Sequence, residues 1–308
     1  MEHQFISEQE GDLFPTQKGR ACACSGIAPS DAGIVLASME QARRRFILKG
    51  GFHAIFLASP ISSRIAVSWV NLETIVRKFS SEQPEQLPVL EYLGLEMEDL
   101  IKFRLKPPKN DCRDPKILFY RRLYCAIILY NVVHETPILK VADYLSLNRG
   151  DIQQLQKDAS THCGMTVVFA RRLNWLHIAS ILESYSQRLC FGVRDDLLCL
   201  VRMGADMPAF RARAFHSCGY RNPEDIAKAK VEDIQRILQE CSPFEEKHPL
   251  HLIQQKSPSP SSNLPLIPQH SELFERLAKK IIHIAKETLK KDLQLLMSTT
   301  GLNNIRRN

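Results

Sequence analysis

Nowhere in its 308 residues does this chain follow the GxxxxGK[ST] pattern: Gly19 is followed by Arg20, with no Lys-Ser pair behind it. A DEAD- or DEAH-type box is missing too. Nucleotide hydrolysis needs a backbone cradle for the phosphates and a carboxylate for magnesium, so the sequence carries no ATPase motor and calls for no cofactor of its own. No Ser/His/Asp or Cys/His nucleophile has its usual local context, and no acidic cluster of the nuclease or polymerase kind occurs, so no catalytic residue is assigned. The nine cysteines (Cys22, Cys24, Cys112, Cys125, Cys163, Cys190, Cys199, Cys218, Cys241) include no CxxC pair, and their number is odd. Cys22 and Cys24 with His162 and Cys163 match no zinc-ligand spacing, so no metal is expected. Reduced thiols packed as small hydrophobes suit a cytosolic or nuclear chain. Long apolar runs are lacking: the stretch around Ile127, Ile128 and Leu129 is short and flanked by charge, and the acidic, polar start MEHQFISEQEGDLFP is not a signal peptide, so no membrane partner is expected.

Glycine is sparse, at 13 residues, and alternating Val/Thr runs are few, whereas helix formers abound. These features favour an all-α fold. The formal charge is +7, and residues 271–308 alone carry a local excess of +4. Such an excess suits a nucleic-acid partner through counterion release, or simply a soluble basic surface.

Helical signals begin at Ser30–Asp31, run through Gln41-Ala-Arg-Arg-Arg45 and end at Gly50–Gly51. The arginine run reads as a solvated or phosphate-facing helix face. Phe52–Ile61 is apolar, closes in Ser-Pro, and predicts a short extended or linking segment. Ile65, Trp69, Leu72, Val76 and Phe79 repeat at helical spacing over 63–79. Residues 115–133 predict a long, largely buried helix, 137–145 another, and Asn148 caps one running to about Cys163. Residues 165–190 hold one or two more, with Arg171, Arg172, Trp175 and Leu176 near their join. Six prolines and many serines between 242 and 270 predict a flexible linker, after which 271–297 regains a helical pattern with lysines on one face.

The run LLCLVRMGADMPAFRARAFHSCGYRNPEDIAKAK (197–230) has the layout of a helix-hairpin-helix unit. In such units helix N-terminal amides and nearby arginines meet phosphates. Only Gly204 of the usual glycine pair is kept, and Asp206 faces phosphates badly, so the hairpin reads as structural rather than gripping. Arg202, Arg211 and Arg213 are candidate DNA contacts, or plain surface charge.

The run NRGDIQQLQKDASTHCGMTVVFARRLNWLHIASILESYSQRLCFGVRDDLLCLVR (148–202) resembles the helicase-like region of DNA polymerase theta and, less closely, other superfamily-two repair helicases of that group (POLQ/HELQ-type). RRRFILKGGFHAIFLASPI (43–61) is similar to the passage out of that family's winged helix, and PTQKGRA (15–21), with Lys18 and Arg20, to the tip of its wing. AKETLKKDLQLLM is similar to its closing helix. The resemblance implies a partial winged helix and linking helix at 1–61, a ratchet-type helical bundle at 62–192, a helix-hairpin-helix-like domain at 193–241, a Ser/Pro linker at 242–270 and a C-terminal amphipathic helix at 271–308. It also implies that ATP and magnesium belong to motor domains outside this chain. The chain is then expected to be a truncated gene model, a splice product or a decayed paralogue. The expected role is non-catalytic guiding of single-stranded or branched DNA in nuclear repair, of double-strand breaks by end joining or of crosslinks. Motor domains or other repair proteins are its expected partners; a protein-interaction scaffold, or a truncated paralogue with little DNA affinity, is the alternative. Archaeal relatives present an arginine and, two turns on, a tryptophan on the ratchet helix; Gln154 and Thr161 stand at those positions. Arg171, Arg172 and Trp175 are candidate substitutes, although Trp175 also reads as a core aromatic with Ile178 and Leu182.

Overall fold

The structure, a computed structural model, describes residues 5–9, 11–109, 114–241 and 268–299. Among the described residues there are fifteen α-helices, two 3-10 turns and one two-stranded sheet, so the fold is all-α apart from a small hairpin. The chain divides into two compact units, Met1–Arg194 and Asp195–Asn308. No single described helix is long and apolar enough to cross a membrane; the helices Gln17–Ser25 and Pro29–Arg44, which pass together by length and composition, are bent by 112°.

The first unit opens with β1 (Ile6–Gln9) antiparallel to β2 (Asp12–Pro15), Ile6 opposite Pro15. Residues 15–21, read from sequence as a wing tip, instead open α1 (Gln17–Ser25). The Thr16 hydroxyl caps that helix by accepting from the Gly19 amide at 3.2 Å. Gly19 is required there: a Cβ would stand 2.0 Å from the Phe5 carbonyl oxygen, which already accepts from the Thr16 amide. α2 (Pro29–Arg44) starts with proline in its first turn, after Ala28, so Ser30 and Asp31 lie inside the helix rather than capping it.

The segment expected to be extended, Phe52–Ile61, contains a helix, α3 (Phe52–Ala58), and every residue of it is buried. Gly50 and Gly51 start this element instead of closing the one before: both have positive φ (70° and 78°), and Gly51 is its N-cap. A seven-residue helix is too short to stand alone, and what completes this one is distant. The guanidinium of Arg122, buried in α7 (Pro115–Val133), donates to the Leu57 and Ser59 carbonyls at 2.9 and 3.0 Å and to the Ser38 hydroxyl at 2.9 Å. His162 Nδ1 lies 3.2 Å from the Ala58 carbonyl. The orphan carbonyls of a helix end are thus met by side chains from two other helices. Burial draws the Arg122 guanidinium down to about 10, so it stays protonated at neutral pH.

α7 is apolar nearly all round and buried from Leu123 to Tyr130, as a central helix must be. Its start is fixed by Asp114, whose carboxylate accepts from the Lys116 and Ile117 amides. Helices α4 (Trp69–Glu82), α5 (Leu87–Leu93), α6 (Met97–Leu105) and α8 (Ile138–Leu145) complete this part; α4 begins at Trp69, six residues later than the periodicity predicts. α9 runs unbroken from Arg149 to Arg172, well past Cys163, and is followed after three residues by α10 (Leu176–Phe191). The two are antiparallel and locked in register: the Ser160 and Ser186 hydroxyls each donate to the other's carbonyl (3.1 and 3.3 Å), and Gln156 donates to the Cys190 carbonyl at 3.2 Å.

The second unit contains α11 (Leu198–Val201), α12 (Ala209–Ser217), α13 (Pro223–Ala227), α14 (Val231–Cys241) and α15 (Pro268–Thr299). Asn222 closes a capping box with Asp225, which starts α13 sharply after Gly219 (φ 95°). α15 buries Ala278, Ile281, Ile282 and Ala285 and packs against α13 and α14. Most of the expected Ser/Pro linker, 242–267, lies outside the described residues, and the helix begins at Pro268.

Candidate nucleic-acid interface

α9 carries the ratchet positions. Ile152, Leu155, Ala159, Cys163 and Val167 are buried, which fixes the helix's rotation and turns Gln154 and Thr161 to the exposed side. At 3.6 residues per turn, Gln154, Lys157, Thr161, Gly164, Val168 and Arg172 fall within an arc of roughly 80°, in a stripe roughly 27 Å long. Gln154 donates to the Asp158 carboxylate at 2.8 Å, and the Thr161 hydroxyl returns to the Lys157 carbonyl at 3.1 Å. Neither supplies an aromatic face. Gly164 sits in mid-helix, where glycine costs about 1 kcal/mol relative to alanine. A Cβ there would meet nothing within 4 Å, so no neighbour among the described residues requires the glycine.

At the end of this helix several predicted residues come together. Gln17 of α1 donates to the Arg172 carbonyl at 3.4 Å, and Lys18 pairs with Glu40 of α2 at 3.5 Å. Arg20 is exposed on α1, while Arg171 pairs with Glu183 of α10 at 2.6 Å. Trp175 is half buried against the core, with the Arg43 guanidinium 4.4 Å from its ring centre. Arg171 and Arg172 also complement the helix dipole in the last turn of α9, which is reason enough for basic residues there.

Arg202, Arg211 and Arg213 belong to the second unit. Arg202 and Arg213 are exposed; Arg211 is half buried, donates to the Asp206 carbonyl at 3.0 Å and lies over the Phe210 ring. Asp206, in the hairpin turn, holds Lys280 of α15 at 2.9 Å. The residue that spoils a phosphate grip therefore helps dock the C-terminal helix.

The cysteines weighed as ligands are engaged separately: Cys22 donates to the Ile27 carbonyl and Cys163 to that of Leu182. Burial pushes the Cys163 thiol up to about 12. Among the described residues no three His, Cys, Asp or Glu side chains converge as metal ligands. Sequence reasoning missed Lys157 and Gly164, and it read Arg43 only within an arginine run facing solvent or phosphate. A glycine inside a long helical run was the available signal for the second, but nothing in the sequence links Arg43 to Trp175.

The first unit, helical apart from the hairpin at 6–15, is thus built on a long helix with an exposed outer stripe, and a second helical unit follows it in the chain. The model of the family described as "DNA_pol_Q helicase like region helical domain" matches residues 29–189, and the chain belongs to this family. It is similar to DNA polymerase theta of Drosophila melanogaster (29% identical over 251 residues, 80% of this chain and 12% of that protein). The corresponding protein of Caenorhabditis elegans is 31% identical over 79% of this chain and 15% of its own length. Helicase POLQ-like of Homo sapiens is 24% identical over 77% of this chain and 22% of its length. The chain thus spans between a tenth and about a fifth of these three relatives.

Proposed function

We propose that the chain is the non-catalytic, strand-guiding part of a polymerase-theta-like ATP-dependent DNA helicase, acting in nuclear repair by double-strand-break end joining or at crosslinks. The observation that carries this reading is the outer stripe of α9, whose mid-helix Gly164 has open space above it. A backbone laid bare on a polar helix face suits the close approach of another chain, here a single strand or branched DNA held without base specificity. Lys157 and Arg172 lie on the stripe, Lys18, Arg20 and Arg171 lie near its end, and Arg202, Arg211 and Arg213 supply cations in the second unit. The family's motor domains would supply ATP and magnesium. Nothing in this sequence fits those groups, since the glycine-rich cradle with its Lys-Ser pair is missing.

Fluorescence anisotropy with single-stranded and forked DNA at several salt concentrations tests the reading. Each phosphate contact adds about 0.7 to the log–log salt slope on single strands and about 0.9 on duplex. The Arg211→Glu/Arg213→Glu double variant is expected to bind more weakly with a shallower slope. Absence of wild-type binding near physiological salt would refute the proposal. A second reading, a protein-interaction scaffold, is favoured by the end of α15, where Leu293, Leu295, Leu296 and Met297 are 52–64% exposed. Salt-insensitive self-association would point to it.

A further inference from the structure

Trp175 is the N-cap residue of α10 and packs part of its surface on the core. Arg43, exposed in the last turn of α2, places its guanidinium 4.4 Å from the centre of the same ring. Trp69, the only other tryptophan, is 4% exposed and set edge-on against Phe103, so a ligand reaches only Trp175. The corner is basic: Arg43 and Arg44 end α2, Arg172 ends α9, and Gln17 and Lys18 tie α1 to the same place.

We propose that the Trp175 ring is a stacking platform for one unpaired base, and that Arg43 holds the platform until the base arrives. The inference rests on the strand-guiding reading and adds to it a base-contacting site off the α9 stripe. An exposed cation–π contact is worth about two- to fivefold in population. A base stacked on an aromatic ring is worth about fivefold to a hundredfold. The exchange therefore favours the base, and the displaced guanidinium forms a charge-assisted hydrogen bond to a phosphate of the same strand. Every base has a π-face, so the site is indifferent to sequence.

The test uses the whole chain and a labelled oligothymidylate, following label anisotropy and intrinsic tryptophan emission together. Emission is expected to quench in step with binding. Trp175→Phe should bind nearly as wild type with that emission change gone, and Trp175→Leu should bind about tenfold more weakly at an unchanged salt slope. Arg43→Ala should lower the slope by about 0.7. Binding without quenching, quenching that persists in Trp175→Phe, or wild-type affinity in a folded Trp175→Leu overturns the stacking site alone. If Trp175→Leu does not fold, the wild-type and Trp175→Phe emission titrations decide the matter. A wild-type chain that binds no oligonucleotide overturns the strand-guiding reading, and the stacking site with it.

Discussion

Arg122 reaches Ser59 across 63 residues of chain, its Nε 3.0 Å from that carbonyl oxygen, and is 3% exposed. No carboxylate accompanies it in these bonds. The positive charge is held by the carbonyl ends of α3 and by the face of Phe56, 4.7 Å away.

Replacing Arg122 by methionine keeps bulk in the core but strands the carbonyls of Leu57 and Ser59. A buried polar group left unsatisfied costs about 1–3 kcal/mol, so the variant should lose about 3–5 kcal/mol. Urea denaturation measures this, and a loss below about 1 kcal/mol would show that α3 does not depend on Arg122.

Acid should loosen the first unit well before its carboxylates titrate. Burial pushes the His53 and His162 imidazoles down to about 4, from 6.5 in an exposed setting. Between those values the unfolded chain binds the protons and the folded chain does not. Their contribution to stability is therefore full above pH 6.5 and is lost as pH falls through about 4. Each histidine adds a slope approaching about 1.4 kcal/mol per pH unit within the window. Urea midpoints at pH 7.5, 6 and 5 should decline in that order; a flat series counts against both burials.

Gly164→Ala should raise stability by up to about 1 kcal/mol, because helix propensity improves and no clash arises. The same change should weaken binding of single strands if the bare backbone is what the strand approaches. A variant that is both more stable and fully competent to bind would leave the α9 stripe without a role.

Thr161→Trp offers the π-face that this position lacks. A stacked base contributes about 1–3 kcal/mol, so tighter binding of single strands, at least about fivefold, is expected with little change in salt slope. Unchanged affinity in anisotropy would show that no strand runs over this turn of α9.

The docking of α15 should depend on apolar contact rather than on charge. Ile281→Ala empties a site that is 1% exposed and should cost about 2–4 kcal/mol in the second unit. Asp206→Ala removes the partner of Lys280, whose side chain is 61% exposed, and should cost under about 1 kcal/mol. Thermal melts of the two variants compare them directly; equal losses would mean that the ion pair carries more than its exposure allows.

The helices of strong period could be read in advance. α7 and α15 follow from spacing and from the loss of pattern after Cys241, and the start of α9 follows from Asn148, although spacing ends that helix near Cys163 rather than at Arg172. α3 could not be read this way. Its ten-residue apolar neighbourhood shows no preferred face, because all its faces are buried, and the groups that finish its last turn come from α7 and α9. The hairpin at 6–15 escaped for the opposite reason: every residue of β2 is exposed, so there is no alternation of buried and open positions to detect. For the candidate site, burial on α9 fixes which way Gln154 and Thr161 face. The meeting of Arg43 with Trp175 depends on how α2 packs beside the α9–α10 join, which no local pattern encodes.

The dependence of α3 on Arg122 and His162 also bears on synthesis. As the chain is made from its N-terminus, Phe52–Ala58 emerges long before either residue that will hold its carbonyls. Until α9 follows, the nascent segment is an apolar stretch with an unfinished end, the kind of surface that chaperones retain. The first unit should therefore mature late and all at once, and a ribosome stalled before His162 should carry a protease-sensitive chain.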